Sequence, residues 1–77
     1  MEIKRRFGLA LKRERERLER TQEGLANEIG VDQAYISRVE AGKVNLTLET
    51  VEALAAALEV DPIALFAKPP VAARRQQ

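Results

Sequence analysis

The stretch Thr21 to Val39, TQEGLANEIGVDQAYISRV, constrains this chain more than any other. It reads as two short helices joined by a tight turn. Thr21 has the side chain of an N-cap, and Leu25, Ala26 and Ile29 follow it at helical spacing. Gly30 supplies the left-handed residue that ends the first helix, and Asp32 caps a second whose inward side is Ile36 and Val39. Two helices so close in sequence must cross steeply, and the small Ala26 lets them approach.

Composition narrows the alternatives. A chain of 77 residues has room for one domain, and one this short buries only about 60% of the surface its unfolded form exposes. Association into a homodimer is the natural way to bury more. A hydrophobic content of 45% argues for a folded core. No run approaches the roughly 20 consecutive apolar residues of a membrane span, and Met1 to Arg6 leads into no long apolar stretch, so a cytoplasmic protein is expected. With no Cys and no His the usual zinc ligands are missing. Neither a nucleophile and base nor a metal constellation is visible, and no catalytic residue, cofactor or small-molecule ligand is expected.

The net charge of +1 says less than its distribution. From Met1 to Lys43 there are ten Lys or Arg against eight Asp or Glu, whereas Val44 to Ala67 has four acidic residues and no basic one. That polarity suits one phosphate-facing side and an opposite side for another partner. KRERERLER, Lys12 to Arg20, reads by itself as a solvated helical face.

The pattern predicts an all-α chain of five helices. The first runs from about Ile3 to Leu18, with Ile3, Phe7, Ala10, Leu11 and Leu18 as a broken stripe interrupted by Glu14. The second covers about Gln22 to Ile29 and the third about Gln33 to Ala41, with Gly42 as its stop. Thr47 can cap a fourth, in which Leu48, Val51, Leu54, Ala55 and Leu58 form the clearest amphipathic stripe. Asp61 and Pro62 open a short fifth helix through Ile63, Leu65 and Phe66. Residues 1–67 are thus read as one domain, and 68–77, which begins Lys-Pro-Pro, as a flexible tail.

Steep crossing and a tight turn are helix-turn-helix spacing, whose usual purpose is to hold the second helix in the DNA major groove. Over about Phe7 to Phe66 the chain resembles the helix-turn-helix family of the Cro and cI phage repressors, also called the xenobiotic-response-element family. The resemblance rests on TQEGLA, Gly30, YISRVEAGK and LETVEALAAALEV. Chain size, and Asn45 to Thr47 leading into helix four, look most like the controller proteins of restriction-modification genes. The resemblance implies a compact repressor-like domain that regulates transcription by binding a palindromic operator as a homodimer. The family commonly has Gly and then an aliphatic residue where this chain has Glu19 and Arg20.

Residue chemistry supplies candidates independently. Turning Ile36 and Val39 inward directs Gln33, Ala34, Ser37 and Arg38 to the opposite side of helix three. Arg can donate twice to guanine, Gln can pair with adenine, and Ala can touch a thymine methyl. The bland alternatives are a solvated helix start for Gln33 and a surface ion pair for Arg38. Gln22, at the start of helix two, is a phosphate candidate, a role the resemblance also assigns. Tyr35, Lys43 and Asn45 are further phosphate candidates, though Tyr35 can equally pack on the core rim. Arg15 and Glu40 are joined by the resemblance alone, as a structural ion pair between helix one and the end of helix three.

Val60, Ile63, Leu65 and Phe66 offer more apolar surface than one small core can cover, so the dimer contact is expected there, with closure of the monomer core by Phe66 as the even alternative. The rival function is an antitoxin-like protein-interaction module, since the fold does not fix function. Gln33 and Arg38 beside Lys43 favour double-stranded DNA.

Overall fold

The computed structural model describes residues 3–67. Its elements are α1 (Ile3–Arg17), α2 (Gln22–Ile29), α3 (Gln33–Glu40), α4 (Leu48–Ala57) and a 3-10 helix (Pro62–Phe66). The tail read at 68–77 lies outside these residues. Among the described residues there is no strand, and no helix is long and apolar enough to cross a membrane.

Each of the four helical elements after α1 starts where a side chain can replace the missing backbone acceptor. Thr21 accepts from the Gly24 N–H at 2.9 Å, Asp32 from Tyr35 at 2.8 Å, Thr47 from Thr50 at 3.1 Å and Asp61 from Ile63 at 2.8 Å. The expected fifth α-helix is a single 3-10 turn. Pro62 removes a donor, and the Ala64 N–H bonds to the Asp61 carbonyl three residues back at 2.9 Å. The segment is too short to add a stable four-residue ladder.

Three helices end alike. After α1 the Glu19 N–H reaches Glu16 O and the Arg20 N–H reaches Arg15 O, both at 2.9 Å. After α3, Gly42 bonds to Val39 and Lys43 to Arg38; after α4, Glu59 bonds to Ala56 and Val60 to Ala55. This paired closure needs a left-handed residue at its corner, and φ is 57° at Glu19, 76° at Gly42 and 58° at Glu59. Only one of the three corners carries glycine. Glu19 therefore closes α1 in the way that Gly42 closes α3, with the cost carried in the backbone of Glu19.

α1 packs on α3 and on the 3-10 helix, α2 packs on α3 and α4, and α4 packs on the 3-10 helix. The core they enclose holds Phe7 and Leu11 from α1, Leu25 and Ala26 from α2, Ile36 and Val39 from α3, Val51, Leu54, Ala55 and Leu58 at α4, and Leu65. Gly8 sets the spacing of α1 and α3, because a Cβ there would lie 2.5 Å from the Val39 carbonyl oxygen and 2.6 Å from that of Glu40. Two residues read as inward are not. Ile3 is 56% exposed and Leu48 82%, both at the first position of a helix, where no preceding turn of that helix covers them.

The left-handed corners give opposite expectations for two substitutions. Glu19→Gly relieves the strain and raises stability by about 1 kcal/mol. Gly42→Ala introduces it and also drives a Cβ to 2.9 Å from the Arg5 Cα, so it lowers stability by more. Calorimetric melting temperatures should move in opposite directions; two unchanged values would show the corners to be unstrained.

Candidate nucleic-acid interface

All residues of α3 but Tyr35 divide between core and solvent. Ile36, Val39 and Glu40 are buried, while Gln33, Ala34, Ser37 and Arg38 are all exposed along the opposite side, as the 3.6-residue repeat requires. Tyr35 lies between, half-buried against the core rim. The Arg38 guanidinium sits 6.0 Å from the Tyr35 ring centroid, at the outer reach of a cation–π contact, and stays in solvent. Lys43 and Asn45 are exposed in the loop that follows, and Asn45 Oδ1 accepts a hydrogen bond from Lys4 Nζ at 3.1 Å.

Behind the exposed face is a buried polar chain. Arg15 meets the Glu40 carboxylate with two parallel hydrogen bonds, Nε to Oε2 at 2.7 Å and Nη2 to Oε1 at 3.1 Å. Its third arm, Nη1, donates to the Arg20 carbonyl at 2.7 Å and ties the end of α1 to the same charge. Hydrogen bonding to Glu40 raises the Arg15 pKa above its ordinary value, against the opposing pull of burial. A raised arginine pKa stabilises the fold below its unfolded value, so this contribution is present throughout the neutral range and is lost only in strong alkali.

The chain continues outward. Gln22 Nε2 donates to Glu40 Oε1 at 2.9 Å, and Gln22 Oε1 accepts from Gln33 Nε2. An ionised carboxylate can only accept, which forces the donor end of the Gln22 amide toward Glu40 and its acceptor end toward Gln33. Gln33 must then donate one N–H inward. Its remaining N–H and its carbonyl oxygen are left for solvent or a ligand, one donor and one acceptor held in fixed order. Gln22 keeps its second amide N–H, next to the unpaired backbone N–H groups that open α2.

Sequence reasoning placed Gln22 at this surface but missed its bonds to Glu40 and Gln33; a glutamine at the start of each helix was the only available signal. It also missed Arg20, which pairs with Glu28 and donates to the Ala57 carbonyl at the end of α4 at 3.1 Å. Of the apolar residues assigned to self-association, Ile63 is 74% exposed, Val60 and Phe66 are half-buried, and Leu65 is 1% exposed. Leu65 is a correction, since it fills the monomer core and has no surface to offer. Phe66 packs on Phe7 with ring centroids 5.1 Å apart. Beside Ile63 and Phe66, exposed Leu48 with Val51 and Pro62 completes a shallow, mainly apolar depression of about 290 Å³ that Glu49 and Glu52 also line.

Comparison with known proteins bears on this arrangement. The helix-turn-helix family pattern matches residues 11–65. Control protein C.MunI of a Mycoplasma species is 39% identical over 66 residues, covering 84% of this chain and 89% of that protein. The restriction-modification controller protein C.AhdI from Aeromonas hydrophila superimposes with a TM-score of 0.77 at 37% identity, over 80% of this chain and 90% of its own. A hypothetical transcription factor, NHTF from Neisseria, gives 0.82 at 31% identity, over 87% of this chain and 77% of its own.

Removing one partner of the buried pair strands the other charge. Glu40→Ala should destabilise the fold by roughly 3 to 5 kcal/mol, the cost of breaking a well-buried pair, whereas Glu59→Ala, at an exposed position with no ion pair among the described residues, should stay within about 0.5 kcal/mol. Urea unfolding followed by circular dichroism measures both. Equal midpoints would deny the pair its structural role.

Proposed function

Because the chain belongs to the helix-turn-helix family, with the controller protein C.AhdI among its structural relatives, we propose that it is a sequence-specific regulator of transcription controlling restriction-modification genes. The observation that carries this reading is the α3 face, where Gln33, Ala34, Ser37 and Arg38 are exposed together while the reverse side is locked into the core. α3 enters the major groove and α2 crosses the backbone. Arg38 donates to O6 and N7 of guanine. Gln33, with its one N–H and its carbonyl oxygen, matches N7 and N6 of adenine, and Ala34 and Ser37 contact neighbouring base edges. Gln22, Tyr35, Lys43 and Asn45 hold phosphates and set the register.

The protein acts as a homodimer, without a cofactor and in the cytoplasm. The two-fold contact is built on exposed Ile63 and Leu48 with half-buried Val60 and Phe66, within the stretch Val44 to Ala67 that has no basic residue. Two-fold symmetry then calls for a near-palindromic operator with half-sites about 10 to 10.5 base pairs apart. A gel shift of the chain alone on promoter DNA from its own operon is the direct test, and absence of a specific shift would favour the rival reading as a protein-interaction module.

Two further expectations separate the roles. Arg38→Ala should weaken operator binding by roughly 1 to 3 kcal/mol and relax preference at one symmetric base pair, while Lys43→Ala should weaken all sequences alike and flatten the salt slope by about one unit per subunit. Full discrimination retained by Arg38→Ala would remove it from base reading. For the dimer, Ile63→Asp replaces an exposed side chain and should leave helical circular dichroism intact, yet the charge meets its own copy across the axis. Sedimentation should shift toward monomer and full-operator binding should fall far more than half-site binding; an unchanged dimer at micromolar concentration moves the interface elsewhere.

A further inference from the structure

We propose that Lys4 and Arg5, in the first turn of α1, contact DNA phosphates and extend the interface beyond the loop that follows α3. The fold brings these two residues to that loop. Lys4 Nζ bonds to Asn45 Oδ1 at 3.1 Å, and the backbones touch at Gly42, where a Cβ would fall 2.9 Å from the Arg5 Cα. Only a glycine permits that approach. It roots the Arg5 side chain beside the segment carrying Lys43, next to the end of α3. The Asn45 amide is oriented by the same contact, since accepting from Lys4 through Oδ1 turns its Nδ2 donor away from the ammonium.

Charge supports the assignment. Lys4 and Arg5 are exposed, and among the described residues neither is paired with a carboxylate, unlike Arg15, Arg17 and Arg20. The first turn of α1 contains no acidic residue. Cations at that end of a helix are disfavoured by its dipole and repel one another, so apart from the Lys4 bond to Asn45 an isolated subunit gains nothing from their charge. Three cations, Lys4, Arg5 and Lys43, thus converge on one strip of surface with an amide donor between them, and a phosphodiester backbone is the partner that takes such a strip without regard to base sequence. Lys4 also edges an apolar hollow with Ile3, Leu46 and Leu48, which makes a subunit contact the competing assignment.

This inference rests on the DNA-binding reading, and the test separates the two. Binding of the full chain to promoter DNA from its own operon, and to a scrambled duplex of equal length, is measured over a salt series for the parent, for Lys4→Gln/Arg5→Gln and for Arg13→Gln. Arg13, farther along α1, lies beside Leu9 and Ala67, the residue that ends the 3-10 helix. The double variant should show a log–log salt slope shallower by about two units per subunit, at about 0.9 per lost contact. Its preference for operator over scrambled DNA, its sedimentation and its helical circular dichroism should match the parent, and Arg13→Gln should keep the parent slope. A parental slope in the double variant, or an equal loss in Arg13→Gln, overturns the proposal while leaving operator recognition standing. Loss of self-association with an unchanged slope reassigns the pair to a subunit contact and also overturns it. A parent that binds neither duplex removes the DNA reading itself.

Discussion

The buried pair between Arg15 and Glu40 is the interaction on which the rest of the interface depends. Its net contribution to stability is small, because the desolvation of two charges offsets most of their attraction. Its structural consequence is large. Glu40 closes the last turn of α3, Arg15 belongs to α1, and the guanidinium also holds the Arg20 carbonyl at the junction leading into α2. One charge pair therefore fixes the relative placement of all three helices, while the backbone contact at Gly8 sets how closely α1 and α3 approach.

The pair also imposes direction on what lies outside it. Because a carboxylate has no proton to give, every amide beyond Glu40 must point its nitrogen inward, first at Gln22 and then at Gln33. The polarity of an exposed side chain is set by a buried one two hydrogen bonds away. Preorganisation of this kind lowers the entropy that a long, flexible glutamine loses on binding.

Much of this was legible in the sequence. Thr21, Asp32, Thr47 and Asp61 announce helix starts because an N-cap is a local device, readable from one side chain and the pattern after it. The exposed set on α3 follows from periodicity alone. What escaped was made by contacts across the chain. Glu19 and Glu59 turn left-handed corners that a reader assigns to glycine, because the packing of the helices on either side overrides the local preference. The amide contact between Gln22 and Gln33 is a through-space fact with no sequence signature. In Pro62–Phe66 a single 3-10 turn is too short to show a period, so the sequence could not say that Leu65 faces in and Ile63 out.

The contact of Phe7 with Phe66 joins the first described helix to the last. It spans nearly the whole described chain, so its loop-closure entropy is met late, after the local helices and their nearer contacts are available. Once made, it ties together the two ends of the described chain. Fraying of the 3-10 helix would uncover Phe7 and loosen the start of α1, and unwinding of α1 would in turn release Phe66. The two extremities behave as one cooperative unit, and local opening at either is transmitted to the other.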